Sequence, residues 1–98
     1  MRKVTQQAVN ALLNDQQYTN GNTQVRANNG FTNLYLHNHI IATKSWNPIE
    51  ISITNAGWFS NTTKERLNGL PGVSIQQKKG VWYLNGKEWD GTLINVSI

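Results

Sequence analysis

Two periods of apolar residues divide the chain. Val4, Ala8 and Leu12 recur at four-residue spacing with Ala11 alongside, and Val9 and Leu13 form a second row beside them. This spacing predicts a helix from Thr5 to Asn14, with Thr5 as its N-cap and Asn14, Asn20 and Gly21 as stop and turn signals. A helix of about ten residues persists only when packed. From Gly21 the period drops to two. Asn29-Gly30 is a strong two-residue hairpin signal, because both loop positions need positive φ. It sets Asn28 opposite Phe31, Arg26 opposite Asn33, Val25 opposite Leu34 and Gln24 opposite Tyr35. One face then carries Val25, Leu34 and Leu36, and the other Arg26, Phe31, Asn33 and Tyr35. Further turns at His37-Asn38-His39 and Trp46-Asn47-Pro48 bound the strand Ile40-Ile41-Ala42-Thr43. Beyond them Ile49, Ile51 and Ile53 alternate with Glu50, Ser52 and Thr54, completing a four-stranded antiparallel meander.

Asn55-Ala56-Gly57 ends this sheet. Thr62-Thr63-Lys64-Glu65 fits a capping box, with Thr62 as N-cap and the Glu65 side chain reaching back to it. The short helix it opens stops at Gly69, read as the C′ residue, and Pro71 prevents continuation. The remaining pattern is a second β unit. Val73 to Lys78 and Val81 to Leu84 are turned at Lys79-Gly80, Asn85-Gly86 leads into Lys87-Glu88-Trp89, and a closing strand from Leu93 to Ile98 alternates Ile94, Val96 and Ile98. No repeat, linker or low-complexity tail interrupts the chain. The expectation is a single α+β domain over residues 1–98: an antiparallel meander sheet, an N-terminal helix, one short central helix and a C-terminal β-hairpin unit.

Composition narrows the chemistry more than the fold. With 98 residues, of which 38% are hydrophobic and 14% charged, there is material for one core and little for a cleft between lobes. The absence of cysteine removes disulfides, thiolate metal sites and cysteine nucleophiles together, and favours a reducing, cytoplasmic setting. No stretch has the ~18 apolar residues of a membrane helix, so no membrane association is expected. The net charge of +4 is compatible with a nucleic acid, a nucleotide or an acidic protein as partner, and equally with a basic surface of no special purpose.

Catalytic motifs are missing. His37 and His39 form an H-x-H pair, but no third ligand lies near in sequence, and solvated turn histidines are the favoured reading over a metal site. Asp15, Glu50, Glu65, Glu88 and Asp90 are each accounted for by capping, a polar strand face or a turn. Neither a catalytic residue, a metal site nor a cofactor is expected. Two places carry binding chemistry. Arg26, Phe31, Asn33 and Tyr35 share one sheet face, where aromatic rings beside an arginine can hold a base and its phosphate. A covering helix or a second subunit would account for the same face, so a homo-oligomer is open. Ser60-Asn61-Thr62-Thr63-Lys64 with Arg66 places hydroxyls, free N–H groups and cations where an anion could bind, although capping alone explains the hydroxyls. A third cluster, Lys78, Lys79, Tyr83 and Lys87, lies about turns where lysines are commonly just solvated. Trp82 and Trp89 face each other across the last hairpin and read as core.

Thr5-Gln6-Gln7-Ala8-Val9, Gly21-Asn22-Thr23-Gln24-Val25-Arg26, Leu34-Tyr35-Leu36-His37 and the run from Gly57 to Asn68 resemble small proteins of tailed phages and prophages. The resemblance covers most of the chain and brings no activity with it. It implies a setting in which short non-enzymatic proteins antagonise host defences by occupying a nuclease, masking nucleic acid or sequestering a nucleotide signal. Mimicry of DNA requires an acidic surface, which the positive charge opposes. The expected function is therefore a phage-type accessory protein, with an anti-defence role open to it, that binds nucleic acid or a nucleotide without catalysis, through Arg26, Phe31, Asn33, Tyr35, Thr62, Thr63, Lys64 and Arg66. The alternative is a protein–protein inhibitor of a host defence enzyme, which would use exposed aromatics and strand edges instead.

Overall fold

A computed structural model describes residues 2–96. The first helix, α1, runs Lys3–Leu13, with Arg2 and not Thr5 at its N-cap and no side-chain cap. Thr5 sits inside the first turn and is buried, because its hydroxyl serves the second helix, as described below. A short strand without apolar alternation, β1 (Tyr18–Asn20), precedes the meander of β2 (Thr23–Asn28), β3 (Phe31–Leu36), β4 (His39–Trp46) and β5 (Ile49–Ile53). The hairpin register is the one Asn29-Gly30 dictates: Asn28 pairs with Phe31, Arg26 with Asn33, Val25 with Leu34 and Gln24 with Tyr35. Asn29 and Gly30 both take positive φ, at 53° and 91°, as the loop requires.

A register shift follows Leu34, which pairs with Ala42 while Tyr35 pairs with Ile40. The extra residue is Ile41. This bulge lets the consecutive Ile41 and Ala42 both enter the core.

The central helix, α2, is Asn61–Leu67. Its cap is not the expected one. Ser60 is the N-cap, and its hydroxyl accepts from the Thr63 backbone N–H at 3.1 Å. Thr62 lies one residue inside the helix, and Glu65 bonds to Thr5 and Arg66 instead of reaching back to Thr62. The end falls where expected, with Asn68 at the C-cap and Gly69 at C′, but Gly69 does not take positive φ and is needed for space instead: a Cβ there would lie 2.6 Å from Thr5 Cγ2 and 2.9 Å from Val9 Cγ2. The glycine lets the end of α2 approach α1.

The last part of the chain divides between two sheets. Three strands, β6 (Ile75–Lys78), β7 (Val81–Leu84) and β8 (Lys87–Glu88), form a small antiparallel sheet. The closing strand β9 (Ile94–Val96) leaves that unit and pairs with β5, with Ile51 opposite Val96 and Ile53 opposite Ile94. Ile98, expected in this alternation, lies outside the described residues. Among the described residues the main sheet therefore has six strands, in the order β1-β2-β3-β4-β5-β9, instead of four. Its inner face, including Val25, Leu34, Ile51 and Ile53, forms one apolar cluster with Ala8 and Leu12 of α1, Leu67 of α2 and Trp82 and Trp89 of the small sheet. Trp82 and Trp89 pack with ring centroids 6.2 Å apart, and Phe59 meets Trp82 edge-on at 5.1 Å.

Two buried cations tie α1 to the rest. Lys44 of β4 donates to the Leu13 carbonyl at 2.7 Å and to Asp15 at 3.2 Å, where a positive charge suits a helix C-terminus. Arg66 of α2 donates from Nη1 to Thr5 Oγ1 at 2.9 Å and Glu65 Oε1 at 2.6 Å, and from Nε to Thr23 Oγ1 at 3.1 Å. Both carboxylates are more acidic than ordinary. The Thr32 hydroxyl, at 2.6 Å, and then the Lys44 ammonium hold Asp15 low against some burial. Burial pushes Glu65 up, but the Thr5 hydroxyl, the Arg2 N–H and the Arg66 guanidinium together outweigh it.

The folded state therefore binds fewer protons than the unfolded chain, whose carboxylates titrate near ~4. The resulting stability is complete above about pH 5 and is lost as pH falls through the unfolded and then the folded values. Melting temperatures should accordingly be level from pH 7 to about 5 and decline below 4, and Asp15→Asn should flatten that decline. A melting temperature that rises on acidification would contradict this assignment.

Candidate functional site

Strand alternation and register place Arg26, Phe31, Asn33 and Tyr35 together on the outer face of the main sheet. The helices bond to the opposite face, through Thr23 and Lys44. The Arg26 guanidinium lies 5.5 Å over the centroid of the Tyr35 ring and donates to Gln24 Oε1 at 3.0 Å. Phe31 is 51% exposed. Asn33 Oδ1 accepts from the Thr43 hydroxyl at 2.6 Å. Register continues this row across the sheet, from Arg26 through Asn33, Thr43 and Ser52 to Asn95. Among the described residues of this face Arg26 is the one cation and Glu50 the one carboxylate, the latter 3.5 Å from Asn95 Nδ2. The arrangement offers one cation, two ring surfaces and a row of hydroxyls and amides.

The second group does not come together. Arg66 is 2% exposed, and Thr5, Thr23 and Glu65 engage its guanidinium. Its expected part in anion binding is replaced by a structural one. Lys64 turns toward the small sheet, donating to Gln77 Oε1 at 2.6 Å with its ammonium 5.7 Å from the Trp82 ring centroid. Thr63 is buried, its hydroxyl 2.8 Å from that of Ser60.

Thr62 and Thr63 do line a pocket of about 380 Å³, together with Leu36, His37, His39, Ile41, Trp58 and Ser60. His37 and Asn38 form the two-residue loop between β3 and β4, with φ of 50° and 66°. His37 is fixed there, its backbone N–H donating to the Asn22 carbonyl at 2.8 Å. The His39 and Trp58 rings stand 6.1 Å apart, tilted by 42°. Sequence reading left both histidines as solvated turn residues and passed over Trp58. The available signal was the adjacent aromatic pair Trp58-Phe59, placed directly after a glycine turn.

A wider pocket of about 500 Å³ lies against the small sheet, between Phe59, Trp82, Trp89, Glu88 and Asp90. The Thr92 hydroxyl and backbone N–H hold Asp90 below the usual carboxylate range. Among the described residues no three His, Cys, Asp or Glu side chains converge as a metal site would need, and no helix is long and apolar enough to cross a membrane. A family model described as Kyanoviridae Gp96 protein matches residues 1–95. No curated protein and no solved structure matches the chain.

Proposed function

The chain belongs to the Kyanoviridae Gp96 protein family, a phage family, and on that premise we propose that it is a non-catalytic accessory protein that binds single-stranded nucleic acid across the open face of its six-stranded sheet. The observation that carries this reading is the Arg26–Tyr35 pair, with its guanidinium above the ring, beside the exposed Phe31 on the same strand. Aromatic faces stack on bases of any sequence, and an adjacent arginine meets the phosphate. Asn33, Thr43, Ser52 and Asn95 extend the surface with hydrogen-bonding groups across the strands. Such a protein would work in the cytoplasm of the infected cell, masking a strand from host defence.

Salt dependence tests it. Binding to a single-stranded oligonucleotide should weaken linearly in a log–log plot, with a slope near −0.7 per phosphate neutralised. Arg26→Ala should reduce the slope by about one unit. Tyr35→Ala and Phe31→Ala should each cost about 1–3 kcal/mol of binding while leaving the slope alone. No retention of the strand at low salt would overturn the proposal, and an unchanged slope would remove Arg26 from the site. A second reading, inhibition of a host defence enzyme by protein–protein contact, is favoured by the exposure of Phe59, Ile49 and Leu93. It calls for binding that salt barely alters.

A further inference from the structure

We propose that the pocket between the β3–β4 turn and the β5–α2 connection is a binding site for one planar nitrogen heterocycle of nucleoside size, recognised by its base and not by a phosphate. This goes beyond nucleic-acid binding on the sheet: the pocket opens among Leu36, Ile41 and residues of α2, on the inner side, away from Arg26. Its walls are built by two rigid segments. On one side the His37-Asn38 turn closes the hairpin, pinned by the bond from His37 to Asn22. On the other, the buried Asn55 accepts from the Gly57 N–H through its side chain at 2.8 Å and from the Trp58 N–H through its carbonyl at 2.9 Å. Ala56 and Gly57 then turn the chain with φ of 54° and 85°, which sets the Trp58 indole facing the His39 ring.

The lining specifies the occupant. Leu36 and Ile41 are buried apolar side chains, while Trp58 keeps an indole 59% exposed, a large area to leave in water. These groups suit a flat ring. The rest of the lining is His37, His39, Ser60, Thr62 and Thr63, and within the described residues the Thr62 hydroxyl and the His39 ring nitrogens make no hydrogen bond. A hydrocarbon ring would strip water from these groups and return nothing, whereas the edge of a base offers both donors and acceptors. Among the described residues no lysine or arginine lines the pocket. Lys64 is bonded to Gln77 and Arg66 is buried, so a phosphate finds no fixed positive charge there. A volume of about 380 Å³ is at the lower end of ligand pockets, which run to ~1,000 Å³, and fits one base with its sugar.

The test is titration of the whole protein with adenosine, guanosine, ribose 5-phosphate and N-acetyltryptophanamide, followed by calorimetry and by NMR of the tryptophan indole N–H signals. A purine nucleoside is expected to saturate the protein and to shift the Trp58 indole signal while leaving those of Trp82 and Trp89 in place. Trp58→Leu and His39→Ala should each weaken binding by about tenfold with the melting temperature unchanged. Should either variant unfold, the shift of the Trp58 signal in the unaltered protein decides alone. Failure of both nucleosides to saturate, or nucleoside binding that leaves the Trp58 signal unmoved, overturns the proposal. Ribose 5-phosphate binding as tightly as the nucleoside overturns it in favour of a phosphate site. Preference for N-acetyltryptophanamide overturns it in favour of a partner protein's aromatic side chain. Arg26→Ala is expected to keep nucleoside binding while weakening that of the oligonucleotide and reducing its salt slope by about one unit, which separates this site from the sheet.

Discussion

Replacing Arg66 with alanine is expected to lower stability by about 3–5 kcal/mol, the usual consequence of removing one partner from a buried, hydrogen-bonded ion pair. The guanidinium joins three parts of the fold at once: Thr5 in α1, Thr23 in β2 and Glu65 in its own helix. Its loss leaves two buried hydroxyls without their donor and a part-buried carboxylate without its counter-charge. In a domain of this size each kcal/mol moves the melting temperature by about 4–8 °C, so a thermal melt should show a fall of well over ten degrees. Arg26→Ala, which removes the same charge from an exposed strand position, should stay within about 0.5 kcal/mol of the unaltered protein. Adding Glu65→Gln to Arg66→Ala should recover part of the loss, because it neutralises the stranded carboxylate, and a double-mutant cycle reads that coupling directly. Equal, small effects at Arg26 and Arg66 would mean that the internal network contributes nothing.

The second large effect belongs to Trp82. At 1% exposure it is among the largest fully buried side chains, and it touches Phe59, Trp89 and the Lys64 ammonium. Trp82→Ala should cost about 3–5 kcal/mol through lost burial and the cavity left behind. Trp82→Phe should cost much less than the difference in size implies. Among the described residues the indole N–H has no hydrogen-bond partner, and replacing it removes a desolvation penalty of about 1–3 kcal/mol that offsets part of the lost volume. Urea denaturation of the two variants distinguishes the contributions. If phenylalanine destabilises as much as alanine does, the N–H is satisfied in solution and the offset does not exist.

What could be read from the sequence tracks how local the determining interaction is. The β2–β3 register was legible because Asn29-Gly30 pins it within a few residues. Arg26, Phe31, Asn33 and Tyr35 consequently fall on one face, as the period of two demands. Strand β1 was illegible: Tyr18-Thr19-Asn20 has no apolar alternation and is held by pairing with β2 and by the bond from the Tyr18 hydroxyl to Gln7 of α1. The cap of α2 slipped from Ser60 to Thr62 because S-x-x-T and T-x-x-E overlap there, and what decides between them is that Arg66 and Thr5 claim Glu65.

Burial of Lys44 and Arg66 lies further out of reach. Charged side chains are ordinarily solvated, and nothing in local pattern reports a carbonyl or hydroxyl that arrives from another element. The same limit hid the pocket. His37, His39, Trp58 and Thr62 are spread along the chain and become neighbours only when the hairpin tip meets the β5–α2 connection.

Pairing of β9 with β5 carries a consequence for the timing of synthesis. Strand β5 is made about forty residues before its partner, and at translation rates of ~5–20 residues per second its outer edge stays bare for several seconds on the ribosome. That edge belongs to an Ile-Ser-Ile alternation with a ladder of unpaired N–H and C=O groups, the kind of template that recruits other chains. The nascent protein is thus most vulnerable to association in the interval before Ile94, Asn95 and Val96 emerge. A chain cut short ahead of them would carry that vulnerability for life.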